Sequence, residues 1–258
     1  MTDGVACRRE QGTLHLLLDR PESRNAANTT MLTALARYLE DAAADEGVHV
    51  VTLTGAGSAF CAGGDLTGAD TDGAAEAANR VIGAIVGLPK LVVAGVHGAA
   101  AGFGCTLALA CDLVVAARKA SFELAFTRVG LMPDGGTSGL LTAALGRPRA
   151  ARMALLGERI DAETAADWGL ISHVVDDEGY AEQFASLTAT LSAGPTAAYG
   201  WTKHALVAAS LEQLSSQQAL ETTGQHRLVT TDYFRRAVAA YRDRRPRPEQ
   251  RDSKETHD

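Results

Sequence analysis

The chain has 258 residues, 46% of them hydrophobic and 21% charged, and a formal net charge of -7. That length and apolar fraction allow one large domain with a sizeable core, or a domain with an appendage. Acids and bases are interspersed and no basic stripe carries interleaved aromatics, so nucleic acid is not an expected partner. The basic run RDRRPRPEQR near the end is mixed with acids and prolines and reads as a solvated tail. Cys7, Cys61, Cys105 and Cys111 form no CxxC pair and have no histidine at zinc-finger spacing. No metal site is expected from them, and such thiols suit a reducing, cytoplasmic location. The opening MTDGVACRREQG has charges where a signal peptide needs an apolar core.

In chain order, strands are expected at Val5 to Arg9 and Thr13 to Leu18, then a turn, DRPESRNAAN, and a helix with Met31, Leu32, Leu35 and Leu39 on one face. VHVVTLTG reads as a buried strand. A helix from Ala74 to Leu88, the strand LVVAGV, a helix from about Phe103 and the strand DLVVAA follow. Leu91 to Cys111 is free of Asp, Glu, Lys and Arg and long enough to span a bilayer. Gly95, Gly98, Gly102 and Gly104 divide it into strand, turn and helix instead, so no membrane partner is expected. Strands alternating with helices imply an α/β architecture with parallel pairing through right-handed crossovers. Beyond Gly135 only ISHVVD keeps a strand signal. The expected organisation is an α/β core through about Asp177 with helices after it, divided at GPTAAYG into residues 1–194 and 195–258.

Two glycine loops carry the chemistry the sequence can offer. In TGAGSAFCAGGDL the third glycine position of a dinucleotide fingerprint is Phe60, and no P-loop lysine follows. In HGAAAGFGCTLALACD a glycine-rich turn enters a helix and leaves backbone N–H groups free for negative charge. Two such loops at neighbouring strand ends could aim one N–H each at the same oxygen, which makes an oxyanion hole. The plainer alternative is a pair of tight strand-to-helix connections.

RPESRNAANTTM, LTGAGSAFCAGGDL, GAAAGFGCTLALACDLVVAA, GLMPDGG and LLGERIDAETAADWGLISHVV, in this order between about Leu14 and Lys203, resemble the crotonase (enoyl-CoA hydratase/isomerase) superfamily. The resemblance implies a spiral of ββα turns with a helical C-terminal trimerisation region, and a homotrimer or a hexamer built as a dimer of trimers. It implies acyl-CoA thioester substrates and no cofactor beyond the coenzyme A of the substrate. It places the oxyanion-hole N–H groups on Gly64 and Phe103 and coenzyme A contacts on Arg24, Ala26, Ala62 and Asp65. Lys203, in a TK pair, is a further candidate for the coenzyme A phosphate. Arg24 could equally be a solvated cation, Asp65 could organise its own loop, and Lys203 could be an exposed surface lysine.

The family's hydratases activate water with two glutamates, and here those positions are Thr106 and Phe126, neither of which takes a proton as a carboxylate does. Glu123 could be a displaced base, although an offset of three in an extended segment faces the other way. Asp134 in LMPDGGTSG has two readings. It is a good N-cap for the helix that follows. Some isomerases of the superfamily also have a catalytic aspartate in a G-L-x-P-D-x-G turn, and one carboxylate is enough to take a proton from one carbon and return it to another. Burial among Phe103, Phe126 and Met132 would raise its pKa toward neutrality. The expected activity is acyl-CoA isomerisation. The alternatives are hydration with water held by Asp134 and Thr106, and acyl-CoA binding without turnover. His97 and Trp168 read as packing residues, and the acyl-pocket wall is expected from Asp70 to Ala84 and from the C-terminal helices.

Overall fold

The computed structural model describes residues 3–66 and 73–243, so the Asp70 end of the expected pocket wall and most of the charged tail lie outside the described residues. Ten strands and nine α-helices are described: β1 Val5–Glu10, β2 Thr13–Leu18, α1 Thr29–Ala44, β3 Val50–Gly55, β4 Ala59–Cys61, α2 Ala74–Gly87, β5 Leu91–Val96 and β6 Ala99–Ala101. They continue with α3 Phe103–Leu109, β7 Leu113–Ala117, β8 Ser121–Glu123, α4 Thr137–Leu156, β9 Arg159–Asp161 and α5 Ala162–Asp167. The last are β10 His173–Val175, α6 Tyr180–Ser192, α7 Thr196–Ser210, α8 Leu214–Leu228 and α9 Asp232–Asp243.

β1 and β2 form an antiparallel hairpin. Its two linking residues, Gln11 and Gly12, both have positive φ (47° and 78°), the conformation whose twist matches the flanking strands. The large sheet then runs β1-β2-β3-β5-β7-β10, parallel from β2 onward. Its inner strands read as unbroken apolar runs because both faces are covered. Val50, Val93, Val115 and Val175 pack toward Phe184, Leu187 and Leu191 of α6, and residues such as Leu53, Val92 and Ala94 face the main core.

A second sheet, β4-β6-β8-β9, is built of strands three residues long. Two of them, β4 and β6, lie inside the segments that read as glycine loops, because three residues are too few for a period of two to register. The sheet also corrects the expectation that ISHVVD alone is extended after Gly135, since Arg159–Asp161 pairs with β8. Three times over, a long strand is followed by a short one and then a helix: β3, β4, α2; β5, β6, α3; and β7, β8, α4. This is the expected spiral of ββα turns.

The uncharged stretch from Leu91 resolves into β5, β6 and α3, and no helix among the described residues is long and apolar enough to cross a membrane. The helices after Pro195 pack onto the same body: α7 on β5, α8 on α2 and α4, and α9 on the 3-10 turn Ala125–Val129.

Candidate active site

β4 and β6 are parallel neighbours, so the loops that follow them leave the sheet side by side. Their backbones press together through glycines. A Cβ on Gly104 would lie 2.3 Å from the Cys61 carbonyl oxygen, and one on Gly63 would lie 3.0 Å from that of Ala101. Ala27 anchors the first loop: its N–H donates to the Gly63 carbonyl (2.8 Å) and its carbonyl accepts from Asp65 (2.8 Å). In such a parallel bridge the intervening residue turns its own N–H outward. The Gly64 N–H accordingly has no acceptor among the described residues, and a side chain there would meet nothing within 4 Å. Phe103, the first residue of α3, has an N–H too early in the helix for an internal acceptor. Two donors without an acceptor among the described residues thus belong to two touching loops.

Behind them sits Thr106, fully buried, with Oγ1 at 2.5 Å from Thr137 Oγ1, which in turn donates to the Asp134 carbonyl oxygen at 2.5 Å. Gly135 packs tightly among Thr106, Ile82 and Phe103, placing Asp134 next to the second loop. The Asp134 side chain does not cap α4. That helix begins after Gly136 without a side-chain cap from its own turn. Its first free N–H groups, those of Gly136 (2.6 Å) and Ser138 (2.7 Å), donate to the carboxylate of Glu221 on α8. The capping reading of Asp134 is therefore corrected: a carboxylate from a distant helix already satisfies those donors.

Among the described residues, one side chain donates to the Asp134 carboxylate. Gln225 Nε2 donates to Oδ2 at 3.1 Å, and Oδ1 is buried with no donor among the described residues. Burial, followed by the nearby Glu221 charge, pushes its pKa up to about 7, with the Gln225 bond opposing the rise. Glu221 is raised as well by its own burial, against the N–H bonds it accepts. A carboxyl group raised toward neutrality can take up and release a proton, and free N–H donors on a neighbouring loop can stabilise charge that develops on an oxygen.

Residues 8–251 match the enoyl-CoA hydratase/isomerase family model. The chain belongs to the enoyl-CoA hydratase/isomerase family. The 1,2-epoxyphenylacetyl-CoA isomerase of Escherichia coli is 39% identical to it over 90% of this chain and 92% of that protein. A Rhodobacter capsulatus protein described as a probable enoyl-CoA hydratase is 41% identical over 92% of this chain and 93% of its own. Among solved structures, an enoyl-CoA hydratase from Mycobacterium avium subsp. paratuberculosis superposes with a TM-score of 0.90 at 40% identity, covering 94% of this chain and 96% of that one.

In this family member the residues expected to meet coenzyme A fall into different situations. Arg24 is exposed, in a left-handed conformation (φ 53°), and its guanidinium has no protein partner among the described residues. Beside it, Ala62 donates its N–H to the Arg24 carbonyl at 3.0 Å. Ala26 is buried, its N–H given to Ser23 and its carbonyl taken by Arg20 Nη1. Asp65 is held by Arg20 Nη2 at 2.9 Å, the loop-organising alternative. Lys203 is a correction. It is 4% exposed, and its ammonium donates to Ile85 O (2.7 Å), Lys90 O (3.2 Å) and Asp112 Oδ2 (2.8 Å). Its three protons are committed inside the chain, so it has none for a phosphate.

Glu123 is ion-paired with Arg128 at 2.8 Å and is no free base. Its offset from Phe126 also runs into the 3-10 turn, so the extended-strand argument about it does not apply. His97 bonds the Gly57 carbonyl at 2.8 Å, and Trp168 is covered by the guanidinium groups of Arg149 and Arg152, as expected of packing residues.

Four residues escaped the sequence reading. Arg20 clasps Asp65 and Ala26. Asn25, fully buried, ties the same loop to the carbonyls of Ala56, Ala59 and Phe60. Glu221 and Gln225 lie four apart on α8, which places them on one helix face. The only available signal for the last two was their spacing within a polar helix.

Proposed function

We propose that the protein is an acyl-CoA isomerase that shifts a carbon–carbon double bond toward conjugation with the thioester. The Gly64 and Phe103 N–H groups hold the thioester oxygen, and Asp134 moves the proton. When the carbon next to the thioester loses its proton, the carbonyl oxygen gains charge, and two fixed donors stabilise that charge by about 3 kcal/mol each. Asp134 takes the proton in its ionised form and returns it along the dienolate, so no metal or redox cofactor enters the reaction. Arg24 meets a coenzyme A phosphate by charge.

The observation that carries the reading is the buried Asp134 Oδ1 without a donor among the described residues, in a turn whose Gly135 packs against the Phe103 and Thr106 side chains of the second loop. The two glutamate positions of the family's hydratases offer nothing comparable. Phe126 has no proton to move, and the Thr106 hydroxyl is engaged with Thr137. Hydration is therefore the weaker reading.

The test is product analysis of wild type and Asp134→Asn with 3-enoyl-CoA and 2-enoyl-CoA in deuterated water. Wild type is expected to convert the 3-enoyl thioester with deuterium exchange, and the variant to lose roughly a hundredfold or more in rate. Full turnover by the variant on every accepted substrate rejects the reading. Loss of the 2-enoyl thioester to a hydroxyacyl product favours hydration.

A further inference from the structure

Among the described residues, Asp134 Oδ1 and Gln225 Oε1 are both buried acceptors without a donor. They belong to two side chains already joined at their other ends, by the 3.1 Å bond from Gln225 Nε2 to Asp134 Oδ2. Unpaired buried oxygens are rare in folded proteins because each forfeits its bonds with water. Two of them on bonded partners call for a common explanation.

The amide orientation is fixed. Gln225 Nε2 also donates to the Met132 carbonyl at 2.7 Å, so the nitrogen, with two protons, must face Met132 and Asp134 while Oε1 remains an acceptor. The Met132 side chain packs over Gly224 of α8, where a Cβ would lie 2.0 Å from its sulfur. A carboxyl and a primary amide joined by one N–H···O bond have a second bond available between the remaining oxygens. It forms only when the carboxyl carries a proton.

Resting on the reading of Asp134 as the proton carrier, we propose that Gln225 is its positioning residue. Gln225 holds the ionised carboxylate through Nε2–H···Oδ2 and accepts the Oδ1–H of the protonated form through Oε1, closing an acid–amide pair. When substrate loses its proton, the C–H bond breaks, its electron pair enters the dienolate, and the proton forms an O–H bond on Oδ1. The Gln225 acceptor keeps that proton oriented until it returns to carbon, and both side chains end as they began. Glu221, the charged neighbour on the same helix, favours the protonated carboxyl.

The test uses protein carrying carboxyl-13C aspartate and reads the infrared carbonyl band that is present in wild type and missing in Asp134→Asn, below the pH at which Asp134 ionises. The pair is expected to place this band at the lower frequency of a hydrogen-bonded carboxylic acid. Gln225→Met, close in volume and unable to form either bond, is expected to move it up. The same variant is expected to lose about tenfold in kcat with KM within about twofold, because Gln225 orients the base and does not touch coenzyme A. It should also transfer less substrate deuterium to product and more to solvent. A band at the position of an unbonded acid in wild type, or one that Gln225→Met leaves in place, overturns the proposal, and the wild-type band decides even if that variant does not fold. Full turnover by Asp134→Asn would reject the proton-carrier reading separately, with the pairing still judged by the band.

Discussion

The Glu221 carboxylate accepts the Gly136 N–H at 2.6 Å and so fastens α8 to the first turn of α4, immediately beyond Asp134. Glu221→Ala leaves the Gly136 and Ser138 donors without that acceptor and should cost about 1–3 kcal/mol in urea unfolding. It also removes a negative neighbour that disfavours ionisation of Asp134. The acid limb of the kcat profile should therefore move to lower pH, and a limb that stays in place would show that Glu221 does not act on the base.

Asp134 titrates at about 7 in the folded chain and at about 3.9 when exposed to water. Between these values the folded state holds a proton that the unfolded state has released, so this group's contribution to stability falls as pH rises through that window. Activity runs the other way, rising as the base ionises. Asp134→Asn removes the titration and should melt above wild type at pH 8, with the gap narrowing toward pH 5. A gap that is constant from pH 5 to pH 8 would exclude a raised pKa.

Arg24 and Lys203 should separate cleanly. Arg24→Ala is expected to raise KM for acyl-CoA roughly threefold to tenfold, less at high salt, with the melting temperature almost unchanged. Lys203→Met leaves Asp112, whose side chain is 16% exposed, without its cation, and should cost about 3–5 kcal/mol in stability. In the fraction that stays folded, KM should be unchanged. A KM effect larger than that of Arg24→Ala would return Lys203 to the substrate.

Gly104→Ala forces a methyl group to within 2.3 Å of the Cys61 carbonyl oxygen unless the two loops part. Parting them displaces the Phe103 and Gly64 donors from each other. The expected result is a loss of roughly a hundredfold to a thousandfold in kcat with a stability cost of about 1–3 kcal/mol. Wild-type kcat would mean that the two N–H groups do not act on one oxygen.

The long strands and α1 were legible because their apolar residues recur with a period that burial imposes, and Met31, Leu32, Leu35 and Leu39 are indeed buried together. The ordered glycine motifs identified the loops for the same reason: the close approach of Gly104 to Cys61 leaves no other residue possible. The second sheet was not legible because its strands are too short to show a pattern. Asp134 was found from its turn, but the choice between cap and base depended on which group reaches Gly136. That group comes from 85 residues away, in a helix whose polar surface gives no hint of contact. Lys203 was misjudged because burial of a lysine depends on an acceptor, Asp112, 91 positions earlier.

The N–H donors of the loops after β4 and β6 belong to the backbone, whereas the groups bonded to Asp134 and to the start of α4 are side chains of α8. Substitutions in that helix can therefore change the surroundings of the Asp134 carboxylate while the close packing of the glycine loops is kept.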